Sequence, residues 1–308
     1  MLQNDKDMKK HILPIIALFS VLAWTGCQRL EEGMVPEEDP GKDAVVWMTT
    51  VQASKPAADG TKALDLVEDK TLNAYWKAGE KVNVYLEGQY VGFLEVTPGA
   101  GEKPLNATLS GPLSLSSLIS EGDELALLFP RRSDYLWTYE GQNGLLTGEG
   151  SIEECFDYIK AVVTVTSKDP AHGTLTTSGA IFQNQQSIYR FGFKFGEALI
   201  PARTVILSSA VGQIATSCDV ATGEAETGDL TVVRPAASTD LTYVAIRNGN
   251  TTQDDTFSFT VYDGDGVTYE GAKTIPAAAL SKGFVSAKNI ALDRLDAGLS
   301  TAETTTVL

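Results

Sequence analysis

The chain has 308 residues, with 24 Lys plus Arg against 40 Asp plus Glu and a formal charge of -16 at pH 7. That balance excludes the clustered cations a nucleic-acid partner demands, and the length suits two domains better than one. Two His and three Cys (Cys27, Cys155 and Cys218), with no CxxC spacing, leave little material for a His-based metal site, a Ser-His-Asp triad or a redox pair.

Met8-Lys9-Lys10-His11 is a basic start. An apolar run over 12–24 follows, shorter than the roughly 20 residues a membrane-spanning helix needs. It ends in Thr25-Gly26-Cys27, so residues 1–26 read as a secretory signal. A Cys directly after small residues resembles a bacterial lipobox. Acylation of Cys27 would then hold the mature chain at a bilayer by its acyl chains. Residues 27–43 are rich in Glu, Pro and Gly and read as a short acidic tether.

From residue 44 the chain reads as all-β. Thr and Gly are abundant, and short β-branched and aromatic runs are punctuated by Gly, Asn, Asp and Pro. Residues 45–51 form a first strand with Val45, Trp47, Thr49 and Val51 on one face and Val46, Met48 and Thr50 on the other. Neither face is polar, so the strand is predicted to be buried on both sides, as a plug would be. Residues 82–86 and 90–96 flank Glu87-Gly88-Gln89 as a hairpin. A further strand falls near 105–109. The unbroken apolar run 125–129, stopped by Pro130, suits a strand buried on both faces. Another strand covers 157–165.

A second series begins at 187, where 188–195 places large aromatics on one face and Arg190 and Lys194 on the other. Strands follow near 204–207, 230–233, 241–246, 257–262, 268–273 and 285–292, with one helical turn at 276–280. The spacing predicts a β-sandwich over 44–180 and a second over 181–296, joined near 177–186, with a tail over 297–308.

Several residues invite a chemical reading. Tyr135, Trp137 and Tyr139 alternate and so share a strand face; they serve either as an aromatic platform for sugar or, more often, as the core side of a hairpin. Asp263-Gly264-Asp265-Gly266 lies between two strand runs and reads as a hairpin turn rather than a calcium loop. Cys155 and Cys218 fall in different predicted domains, and spacing alone does not decide whether they pair. No carboxylate pair or nucleophile motif stands out, so neither an enzymatic activity, a cofactor nor a metal is expected.

The ordered set Thr61-Lys62-Ala63, 74–84 with its Trp76–Gly79–Glu80 entry to a strand, Leu128-Phe129-Pro130, 156–161, 181–184 leading to Arg190-Phe191, and 282–285 resembles the fimbrillin family of Bacteroidales surface lipoproteins. Together with the signal ending at Cys27, these motifs cover nearly the whole mature chain. The resemblance implies two tandem transthyretin-like β-sandwiches. It also implies a structural or adhesive lipoprotein of the outer membrane, a fimbrial subunit or fimbria-associated protein. Its partners would be other fimbrial subunits or copies of itself, and a host or microbial surface. Contact with the membrane would run through the lipid alone.

The resemblance further implies assembly by donor-strand exchange. A protease cuts the loop after the first strand, the strand carrying Val45, Trp47, Thr49 and Val51 leaves, and a neighbour's strand replaces it. Polymerising members carry an Arg at the cut. Here the residue in that place is Lys62, which is either a processing site or an ordinary solvated lysine. The Thr-rich tail is either a donor strand or a frayed terminus. The alternative function is a surface lipoprotein that captures glycan through Tyr135, Trp137 and Tyr139.

Overall fold

The computed structural model describes residues 44–55, 65–67, 71–131, 136–212, 214–247, 252–280 and 283–295. In chain order the first strands are β1 (Ala44–Ser54), β2 (Asp65–Val67), β3 (Thr71–Asn73), β4 (Lys81–Leu86), β5 (Gln89–Pro98) and β6 (Asn106–Ser116). They are followed by β7 (Glu124–Phe129), β8 (Leu136–Thr138), a single π turn at Ile152–Phe156, β9 (Ile159–Asp169), β10 (Thr174–Thr177), β11 (Ala180–Ile181) and β12 (Gln183–Asn184).

Seven of these strands close on themselves. The pairing runs β1-β6-β5-β4-β7-β9, and β10 then pairs with both β9 and β1. The first half is therefore a closed barrel, not the two-sheet sandwich expected for it. The closure is made by β10, whose pairing with β1 is parallel while β1–β6 is antiparallel. A closed ring leaves no free edge to pair with another chain.

The interior follows from period-2 alternation. Ala107, Leu109, Leu113 and Leu115 of β6 point inward, as do Ile159, Ala161, Val163 and Val165 of β9. The run 125–129 behaves as expected. Leu125, Leu127 and Phe129 fill the barrel, while Leu128 on the outer face joins the core of the second half.

The first strand departs from its expectation. Trp47, Thr49, Val51 and Ala53 are buried, but Val46 is 59% and Met48 52% exposed. Among the described residues no element covers the outer face of β1, so apolar composition on both faces did not mean burial on both. The 4–5 hairpin forms as predicted, with Glu87 and Gly88 both at positive φ as a tight reversing turn requires.

The second half holds β13 (Ser187–Phe195), β14 (Ala198–Leu199), β15 (Ala202–Ser209), β16 (Ala215–Asp219), β17 (Ala225–Thr227) and β18 (Leu230–Ser238). It continues through β19 (Thr242–Ile246), β20 (Asp255–Asp263), β21 (Thr268–Ile275), the helical turn α1 (Ala277–Leu280), β22 (Phe284–Ala291) and β23 (Asp293–Arg294). One sheet joins β14, β13, β19 and β22; the other runs β18-β15-β20-β21-β23. They pack face to face, with Phe259 of β20 edge-on to Phe191 (5.0 Å) and Phe193 (5.3 Å) of β13. The side of β13 opposite these aromatics is not solvent. Arg190 is 1% exposed, donates to Ser286 Oγ at 2.8 Å and lies over the Phe284 ring.

Core membership does not follow chain order. Phe182 lies in the barrel core, whereas Trp137, Tyr139, Ile152, Phe156 and Tyr158 lie in the second core. Residues 136–158 thus form an arm sent out between two barrel strands, β7 and β9. β8 of this arm pairs with β16, and Tyr139 N donates to Thr216 O. The arm also covers the edge of β19. Gln142 Nε2 donates to Ala245 O (2.8 Å), Gln142 Oε1 accepts from Ala245 N (2.7 Å), and Tyr243 N donates to Gly144 O. Gly144 sits at φ +72, where a Cβ would meet Thr242 Cγ2 at 3.0 Å and Arg234 Cγ at 3.2 Å, so only glycine fits this close approach.

Candidate functional site

β1 occupies a slot between β6 on one side and β10 with β11 on the other. All eleven of its residues pair with β6, from Ala44↔Ser116 to Ser54↔Asn106. On the opposite side Met48, Thr49 and Thr50 pair with Thr174, Leu175 and Thr176, and Ala53 and Ser54 pair with Ala180 and Ile181. Met48 N donates to Gly173 O at 2.8 Å. The inward side chains meet apolar partners: Trp47 stands across from Leu113, Val51 from Leu109 and Ala53 from Ala107. Val45, at the open end, is 40% exposed. Among the described residues β1 comes first, and the chain runs on from its C-terminal end into the rest of the barrel.

That end is held by a residue sequence reasoning passed over. Lys55 is 3% exposed. Its ammonium donates to Tyr75 O at 2.9 Å and lies 4.1 Å from the Trp76 ring centroid and 5.1 Å from that of Phe129. Lys55 N donates to Leu105 O, and Phe182 N donates to Ser54 O. A buried cation is tolerated only where carbonyl and aromatic faces replace water. The signal in sequence would have been a lysine in phase with the buried side of a strand.

The aromatic-platform reading is overturned by burial. Trp137 is 2% and Tyr139 0% exposed. Trp137 stacks on Tyr158 at 4.8 Å, and Tyr139 meets the same ring edge-on at 5.3 Å. Tyr158 in turn donates its hydroxyl to Thr138 O. Burial pushes the Tyr139 phenol well above its ordinary range. Neither ring offers a face to a sugar, and both serve as the arm's anchor in the second core. Tyr135 lies outside the described residues, as do Cys27, Lys62 and the tail 297–308.

Cys218 is a buried free thiol opposite Trp137 in the β16–β8 register, so it is not bonded to Cys155. Burial pushes its pKa up, which keeps the thiol protonated and unreactive. Asp263 closes the β20–β21 turn as expected. Its Oδ1 accepts from Asp265 N and Val267 N, and Tyr269 donates its hydroxyl to Oδ2. These bonds use the carboxylate that a calcium ion would need. Among the described residues no group of three His, Cys, Asp or Glu side chains is placed to hold a metal, and no helix is long and apolar enough to cross a membrane. An open cleft of about 430 Å³ on the outside of the barrel is lined by Tyr85, Glu87, Asp123, Glu124, Lys160 and Val162. The ammonium of Lys160 points to Val220 O at 3.5 Å.

No protein family and no curated protein matches the chain. Solved structures do. One is a candidate cell adhesion protein of Bacteroides ovatus, 13% identical, covering 82% of this chain and 97% of that one at a TM-score of 0.44. Another, of Bacteroides uniformis, is 14% identical and covers 83% and 99% at 0.40. A third is the fimbrial anchor protein Mfa2 of Porphyromonas gingivalis, 13% identical, covering 76% and 84% at 0.37. The chain is thus similar, at low identity, to solved adhesion and fimbrial proteins.

Proposed function

We propose that this chain is a non-enzymatic surface subunit that assembles with other fimbrial subunits by exchange of its first strand. The observation that carries the reading is the placement of β1. It is the first described strand, yet it lines the core with Trp47, Thr49, Val51 and Ala53 and sits between β6 and β10 in the ring. Its loss would uncover the β6 edge and the β10 and β11 edges together. Those edges and the bared core form a groove that an extended segment fills by main-chain pairing, alternate side chains entering the core. Acylation of Cys27 would keep the subunit at the outer membrane until then. Cys27→Ser is expected to abolish lipid labelling and release the protein from the membrane fraction; retention of both would remove the anchor from this reading.

Limited trypsin treatment of the purified chain tests the exchange. Cutting at Lys62 is expected to give a product that sheds residues before the cut and forms oligomers resistant to SDS but lost on heating. A product that is cut at Lys62, keeps β1 and stays monomeric would show that the strand is permanent.

A further inference from the structure

Building on the reading of β1 as a replaceable strand, we propose that Thr49 makes β1 a poor occupant of its own slot. The slot is then matched to a strand of a different subunit that carries an apolar residue at this register. Thr49 is 1% exposed, and its hydroxyl is buried with no hydrogen-bond partner. The indole N–H of Trp47, one inward position away and 2% exposed, is also without a partner. The neighbours explain why. Thr49 stands across from Gly111 on β6, which has no side chain, and beside Leu175 on β10; Trp47 stands across from Leu113. Nothing in that set accepts a proton.

A buried hydroxyl without a partner loses its hydration and gains nothing, whereas an apolar isostere in the same space has no such loss. The remaining buried inward positions of β1, Val51 and Ala53, are apolar. The penalty therefore falls at the middle of β1, at Thr49, and on its N-terminal side, at Trp47. The N-terminal side is also where Val45 is 40% exposed and where β10 and β11 make no ladder pairs with β1. An invading strand would enter there, against the weakest resident contacts. The chain's own tail does not fit. One of its alternate sets reads Leu299, Thr301, Glu303, Thr305, Val307, and the other Ser300, Ala302, Thr304, Thr306, Leu308. Neither supplies successive apolar side chains, so the tail is not the matched donor, and a strand of a different subunit is.

The test uses the full chain carrying Thr49→Val. Amide exchange at Met48, whose N–H donates to Gly173 O, is expected to slow about tenfold, while Thr49→Ser, which keeps the hydroxyl, gives no slowing. Unchanged or faster exchange in Thr49→Val would overturn the proposal. A second arm offers three labelled peptides to the chain cut at Lys62: residues 44–54, the same peptide with Val at 49, and residues 299–308. The Val peptide is expected to be retained about tenfold better than the natural one, and the tail peptide not at all. Equal retention of the first two overturns the tuning but leaves strand replacement standing. Retention of the tail peptide overturns the assignment to a different subunit. Entry of no peptide, with exchange still slowed in Thr49→Val, overturns the incoming strand and the strand-replacement reading, and leaves the penalty at Thr49 as the part that holds.

Discussion

Replacing Trp76 by Ala is expected to lower stability by about 3–5 kcal/mol, the range for emptying a large buried aromatic site. Trp76 is 1% exposed and ties three parts of the barrel together. Phe129, at the end of β7, meets it edge-on at 5.5 Å, and Phe182, beyond β11, does so at 5.3 Å. The ammonium of Lys55, at the exit of β1, lies over its ring. Truncation removes the packing and also strips a buried cation of its aromatic partner, so the loss should fall at the upper end of the range. Urea denaturation followed by tryptophan fluorescence and by circular dichroism would measure it. A loss under about 1 kcal/mol would mean that the site collapses around Ala, and that Lys55 does not depend on the ring.

Gln142→Leu is expected to cost about 3 kcal/mol or more, although leucine has nearly the same volume. The Gln142 amide acts as a short strand. It satisfies both the N–H and the C=O of Ala245 and donates to Tyr139 O, while the main-chain carbonyl of Gln142 accepts from Val233 N. Leucine would orphan three buried backbone groups at once, each carrying a desolvation penalty of about 1–3 kcal/mol. Amide exchange at Ala245 should become far faster, and the uncovered β19 edge should promote self-association. If Ala245 exchanges as slowly in Gln142→Leu as in the parent chain, another group covers that edge.

Gln142 carried no mark in the sequence, and Trp76 was marked only as part of the entry to a strand, for one reason. Period-2 alternation and turn residues show where a strand runs, so the 4–5 hairpin, the run 125–129, the turn at Asp263 and the helical turn after Pro276 were all legible. Pairing between strands far apart in sequence was not. Nothing in the composition of residues 174–177 says that β10 pairs with both β9 and β1, and that double pairing is what turns a sandwich into a barrel. The exposed outer face of β1 has the same origin, because burial of that face depends on whether another element lies over it. The arm was hidden for a further reason. Its anchors, Trp137 and Tyr139, follow strand alternation, but most of the core they enter is made by residues from Ile188 onward. The first strand was found as a strand, and the lysine that secures its end was not, since a lone buried cation reads as an ordinary surface residue until its aromatic neighbours are in place.

The arm also changes how the two halves are tied. The chain passes between the two cores three times: between Phe129 and Leu136, between Phe156 and Ile159, and between Asn184 and Ser187. A pull on one half against the other is shared by three covalent tethers instead of one. A single break at any crossing leaves two intact. The last residues of the arm, Ile152, Phe156 and Tyr158, are each at most 4% exposed and would have to be drawn out of the second core before the middle tether could lengthen. Rupture of such a joint calls for unfolding rather than peeling, so its lifetime under load is set by the barrier to opening the second core.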